Sequence, residues 1–205
     1  MNNSKLSTEQ IILEAAEAEF LEKGYGNAKM MAIAKRANVA HSMLHYYFRS
    51  KENLFQTIFL QKAQTVLPMF EGALEKQLPF FEAVRILIEA QFNFLAKNPK
   101  LPLFLLTEIL TNKKNKKLLL DVLSKKTIPV LNKLKRMLDE EIKKGAVRPI
   151  EFYNFIMNII AINASTFLAF PILQEIAEEA DKSITNLLSE RRESNVQFIL
   201  TALKP

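Results

Sequence analysis

The segment from Met30 to Lys51 constrains the fold more than any other part of the chain. Two short helices that cross at a steep angle need a small side chain at the crossing, and Ala34 supplies it. They need apolar residues to pin both helices to a third. Ile33, Ala37, Val39, Leu44 and Phe48 fall at suitable intervals. The turn between them needs a residue that tolerates left-handed backbone, and Asn38 is the next best choice after glycine. The spacing predicts helices over about Lys29 to Arg36 and His41 to Tyr47.

The outward face of the second of these helices reads His41, Ser42, His45 and Tyr46. These hydrogen-bonding side chains are long enough to reach base edges and phosphates in a major groove. Both histidines of the chain lie on this one face. Imidazoles gain charge in mildly acid solution, so contact with DNA is expected to tighten there. Lys51 falls in the first turn of the next helix, where backbone N–H groups and an ammonium jointly suit a phosphate. His41 and His45 are also spaced as zinc ligands can be, but no acidic or histidine partner lies nearby in sequence. No metal and no cofactor are expected.

The rest of the chain reads as helix. Four glycines and eight prolines in 205 residues leave few turns. Ser7 and Gln10 form a capping box before Ile12, Ala16 and Phe20, and Gly24 is placed to end that first helix. Ser50 caps a helix running on towards Phe70. Pro79 opens the next, Asn98-Pro99 breaks it, and another passes from Leu103 to Leu110. Lys113 to Lys117 reads as a solvated loop before a long helix that contains Pro129 and ends at Gly145; it is also a possible contact for DNA or an acidic partner. A last amphipathic helix is expected over Ser183 to Leu203.

No charge interrupts Phe152 to Gln174, a stretch long enough to span a bilayer. It carries Asn154, Asn158, Asn163, Ser165, Thr166 and Pro171, and both flanks are acidic, so a helix hidden in a protein interface is the better reading. The polar start, Met1 to Glu9, lacks the apolar core of a signal peptide, and a cytoplasmic location is expected. The absence of cysteine excludes disulfides and thiolate chemistry, and the net charge of +6 favours a polyanionic partner. No phosphate-cradling glycine motif is present, and neither histidine neighbours a carboxylate in sequence, which weakens an enzyme reading.

Ile11 to Leu54, IILEAAEAEFLEKGYGNAKMMAIAKRANVAHSMLHYYFRSKENL, resembles the DNA-binding domain of the TetR family of bacterial transcriptional regulators. The likeness rests on Ala15-Ala16, Phe20 and Lys23-Gly24-Tyr25, then Ile33-Ala34, Ala37 and Val39, then Leu44, Tyr46-Tyr47-Phe48 and Ser50-Lys51-Glu52. It implies that Lys29 and Met30 start the second helix near the DNA backbone. It further implies that His41, Ser42, Met43, His45, Tyr46 and Tyr47 face DNA while Lys51 holds phosphate. The chain departs from the family pattern at Ala28 for threonine, Asn38 for glycine, Ala40 for serine and His45 for tyrosine.

The resemblance also implies an all-α architecture. A helix-turn-helix domain over residues 6–66 is joined by a connecting helix to a larger helical effector-binding and dimerisation domain over 67–205. The last two helices would pair two copies into a homodimer, which suits a two-fold operator in double-stranded DNA. An unidentified, small and largely apolar effector is expected among the aromatics, with Phe92, Phe104, Phe155, Asn158, Asn163 and Phe167 as candidate lining and Thr166 as a further polar handle. Repression relieved by that effector is the expected regulation, with the connecting helix swinging as a pendulum. Activation, or a helical adaptor without DNA affinity, stands as the alternative.

Overall fold

The computed structural model describes residues 7–65 and 78–205. Among them the chain forms ten helices and no strand. The first four are α1 (Thr8–Asn27), α2 (Met30–Ala37), α3 (His41–Phe48) and α4 (Lys51–Thr65). Then come α5 (Phe80–Lys97), α6 (Leu101–Thr111) and α7 (Lys113–Lys143), followed by α8 (Phe152–Leu168), α9 (Phe170–Glu179) and α10 (Ile184–Ala202). The expected course of the connecting helix beyond Thr65, including Phe70, lies outside the described residues.

Local chemistry explains most of the boundaries. Ser7 Oγ accepts from the Gln10 N–H at 3.2 Å while Gln10 returns the bond to the Ser7 N–H at 3.0 Å, opening α1. Gly24 breaks the regular helix with φ of 70°, although one further turn runs on to Asn27. Asn38, at φ 53° and ψ 45°, ends α2 in the left-handed conformation. The Val39 N–H reaches the Ala34 carbonyl and the Asn38 N–H reaches that of Lys35, a Schellman closure that uses up the last carbonyls of α2. Ser50 Oγ accepts from the Asn53 N–H and starts α4. Ser183 does the same for α10 through Thr185.

Two expectations fail. Lys113 to Lys117 is the first part of α7 and not a loop. The Asn112 side chain accepts from the N–H groups of Lys114 and Asn115 at 3.0 and 3.3 Å, so it caps the helix immediately after α6 ends. The uncharged stretch is not one helix either: it breaks at Ala169 into α8 and α9, bent by 60°. Pro171 sits in the first turn of α9, where its missing N–H costs nothing. Inside a continuous helix its ring would press on the carbonyl four residues earlier. No single helix among the described residues is long and apolar enough to cross a membrane. The α8–α9 pair passes that test only when its two bent parts are taken together.

Three apolar clusters hold the helices. The first joins α1 to α4 around Ile12, Phe20, Ile33, Leu44 and Phe55, and α6 inserts Leu101 and Phe104 into it. The Phe55 ring lies 5.0 Å from Phe20 and 5.6 Å from Phe104. Helix α6 therefore shares a core with the helices that carry the DNA-facing candidates. The second cluster packs α5, α7, α8 and α10 through Leu87, Leu138, Phe155, Ile159 and Val196. The third is small: Phe92, Leu95 and Phe167. A buried amide chain pins α5, α8 and α10 in one register. Asn163 Nδ2 donates to the Ile88 carbonyl (3.0 Å) and to Gln91 Oε1 (2.9 Å), and Asn195 Nδ2 donates to Asn163 Oδ1 at 3.0 Å.

Candidate nucleic-acid interface

Helix α3 has two opposite faces. Leu44 and Phe48 are buried against the first cluster, which fixes the rotation of the helix. That rotation turns His41, Ser42, His45 and Tyr46 outward, with Tyr46 78% exposed. Met43 is half-buried, and Tyr47 lies at the edge of the exposed face, its ring 5.2 Å from Tyr46. The His41 and His45 rings meet edge to face at 4.8 Å. Among the described residues no cluster of three or more metal-ligating side chains includes them.

The other candidates flank this face. Lys29 is exposed at the N-cap of α2, and Met30 is half-buried against the first cluster. Neither α2 nor α3 has a side-chain cap, because Lys29 and Ala40 stand at their N-caps and Ala28 is buried. Lys51 lies in the first turn of α4. Its ammonium donates to the Gly26 carbonyl at 3.3 Å and stands 4.7 Å over the Tyr25 ring. The end of α1 thus holds that charge in place. Glu52, next in sequence, takes the Lys114 ammonium of α7 at 2.7 Å, and that bond holds its carboxyl below the ordinary value.

Arg49 is an exposed cation beside this face that the sequence pattern did not single out. It has φ of 61° and ψ of −41°, and the Ser50 N–H bonds back to the Phe48 carbonyl in a tight three-residue turn. The turn aims the Arg49 carbonyl at His45, whose Nδ1 lies 3.1 Å away. The available signal was a guanidinium in the turn between the exposed helix and Lys51.

The effector candidates do not converge. Phe155 belongs to the second cluster, Phe92 to the third, and Asn163 is spent on the buried amide chain. Asn158 is exposed, and Thr166 donates to the Ile162 carbonyl within its own helix. Phe104 and Phe167 do share a wall. They line a cavity of about 710 Å³ bounded by the end of α1, the start of α6 and the α8–α9 break.

Glu108 also lines this cavity and was not among the expected residues, although it is the single charge in the apolar helix Leu101–Thr111. Burial pushes its carboxyl above the ordinary value. Bonds from the Asn115 amide (3.0 Å) and the Tyr25 backbone N–H pull the other way. The carboxyl therefore ties α6 and α7 to the residue that carries Lys51 on its ring. A second tie closes α2 onto α1: Arg36 forms a two-pronged bond to Glu22 at 3.1 and 2.8 Å and holds that carboxyl below its ordinary value.

Residues 12–58 match the family described as bacterial regulatory proteins, tetR family. The chain is 29% identical over 146 residues to the HTH-type transcriptional regulator YhgD of Bacillus subtilis, a match covering 71% of this chain and 75% of that one. It is 32% identical over 103 residues to an HTH-type transcriptional regulator of Haemophilus influenzae, covering 48% of this chain and about half, 53%, of that one. In three dimensions it is similar to the transcriptional regulator FadR of Bacillus subtilis, solved with stearoyl-CoA. That likeness has a TM-score of 0.65, 20% identity, and covers 94% of this chain and 98% of that one; it speaks for the fold alone. These are the relatives and the fold of transcriptional regulators, not of enzymes. Residues 12–58 carry the DNA-binding domain of the tetR family of bacterial regulatory proteins, and the chain is a DNA-binding transcriptional regulator.

Proposed function

We propose that the chain is a homodimeric repressor whose grip on operator DNA is loosened by a small molecule. Residues 6–66 form the reading head, and residues 67–205 form the effector-binding and dimerisation part, working in the cytoplasm where the DNA is. One observation carries the reading: α3 is clamped by Leu44 and Phe48, so that His41, Ser42, His45 and Tyr46 stand together on its open side. Lys29, Lys51 and Arg49 surround them with positive charge, as phosphates on either side of a groove require. Met43 and Tyr47, at the edges of the face, would touch sugar and base methyl groups, and Met30 would lie near the backbone.

Dimerisation is supported by an uncharged stripe along α8. Tyr153, Met157, Ala161, Ser165 and Leu168 are exposed at helical spacing, and Phe198 of α10 is 64% exposed. Such a surface is costly in water, and a second copy would cover it. A two-fold pair sets its recognition helices about 34 Å apart, one turn of the duplex.

Regulation follows from where the cavity lies. The α1 turn that ends at Gly24 forms one wall and the first turns of α6 form the other, so filling the cavity acts on the packing of the reading head. Glu108, Tyr25 and Lys51 connect that wall to the phosphate-facing edge. An effector that favours a different spacing of the two heads lowers operator affinity by its difference in affinity for the two arrangements. That FadR was solved with stearoyl-CoA, a molecule with a long apolar part, agrees with a largely apolar effector.

The test is to capture fragments of the native genome with the full chain and measure binding against salt. Repression predicts a defined two-fold site that overlaps a promoter and steep loss of affinity with salt. Absence of binding at low salt would favour the adaptor alternative.

A further inference from the structure

We infer that the cavity between α1, α6 and the α8–α9 break takes a lipophilic organic cation, with Glu108 as its counter-charge and the phenyl rings as its walls. Two carboxylates are buried among the described residues, Glu19 and Glu108. Glu19 has its cation, the Lys23 ammonium at 2.8 Å. Among the described residues Glu108 has none within ion-pair distance; its partners are an amide and a backbone N–H. A buried carboxyl group held only by neutral donors lacks a countercharge, and a ligand that brings a positive charge supplies it.

The surroundings suit such a ligand. Phe20, Phe104, Phe167 and Phe170 contribute to the lining, and aromatic faces attract cations. The volume, about 710 Å³, suits a small organic molecule. The charges on the lining are two carboxylates, Glu22 and Glu108, against one ammonium, Lys100. Lys100 is exposed and screened by solvent, whereas Glu108 is buried, where a charge is screened much less. Glu22 is occupied by Arg36, which leaves Glu108 as the group that discriminates.

The inference rests on the regulator reading only for its consequence, release of DNA; binding itself is measured without DNA. Three ten-carbon probes, decyltrimethylammonium, decanol and decanoate, are titrated calorimetrically into the full chain. The cation is expected to bind about tenfold or more tightly than decanoate, the weight of one charge-assisted interaction. Glu108→Gln should erase that preference and leave decanol unchanged. Leu103→Trp, on the exposed cavity wall of a chain without tryptophan, should report saturation by the cation at the calorimetric concentration. If Glu108→Gln does not fold, the order of the three probes on the native chain and the indole signal decide.

Equal or tighter binding of decanoate, a preference that survives Glu108→Gln, or a silent indole while heat is released would each overturn the inference. Cation binding that leaves operator affinity unchanged would uphold the site and sink the coupling in the regulator reading. Operator binding by a chain that ignores the cation would sink this inference alone.

Discussion

The ring nitrogen Nδ1 of His45 lies 3.1 Å from the carbonyl oxygen of Arg49, one turn further along the chain. A carbonyl only accepts, so the proton of the neutral ring sits on Nδ1 and Nε2 is left as an acceptor. An acceptor at a groove edge suits the exocyclic amine of adenine or cytosine. His45→Ala should therefore weaken operator binding by about 1–3 kcal/mol and relax the preference at one base pair. Competition binding with single-base operator variants at fixed salt checks both; an equal loss on every variant would mean that His45 touches only the backbone.

Helix α3 begins without a side-chain cap because Ala40 occupies its N-cap, with φ −66° and ψ 142° already in the capping range. Ala40→Ser should raise stability by roughly 0.5–2 kcal/mol in urea unfolding. Asn38→Val should have the opposite effect, costing about 1–2 kcal/mol, because a β-branched side chain resists φ of 53°.

The stripe on α8 makes the dimer testable at one position. Ala161 is exposed in the middle of it. Ala161→Arg should give monomers in sedimentation analysis and abolish tight operator binding, while the helical content stays unchanged. A dimer that survives this substitution would place the interface elsewhere.

Glu108 predicts a slope of stability with pH. Burial raises its folded value above the ordinary 4.5, so the native chain holds that proton more tightly than the unfolded chain does. Its stabilising effect is complete below that ordinary value and is lost as pH rises through the folded one. Glu108→Gln should flatten this part of the curve and stabilise the chain relative to wild type at the alkaline end, as seen in midpoint shifts in urea. A slope that is the same in both proteins would remove Glu108 from the account.

Local rules made much of the fold legible in the sequence. Ser7 with Gln10, Asn38, Ser50, Pro79 and Ser183 mark helix ends through bonds within a few residues, and the pattern around Ala34 placed α2 and α3 to within a residue. The misreadings arose where a single side chain overrides composition. Lys113 to Lys117 looks like a solvated loop until Asn112 is seen to cap it, and the uncharged stretch looks continuous until Pro171 starts a new helix. The exposed candidates on α3 could be read because helical periodicity decides which face is open. The cavity could not, because its walls come from α1, α6 and α8–α9, far apart in sequence. Glu108 was visible as a lone charge in an apolar helix, but its meaning depends on Tyr25 and Asn115.

The central claim is that the open face of α3 and the Lys51 ammonium together grip a duplex. The most direct measurement is the salt dependence of operator affinity for the native chain, Lys51→Ala and Tyr46→Ala. Native binding should fall linearly in log–log form. Lys51→Ala should reduce the slope by about one, the share of a single neutralised phosphate, and weaken all sequences alike. Tyr46→Ala should leave the slope nearly unchanged while lowering discrimination between operator and random DNA. Identical curves for all three proteins would contradict the account.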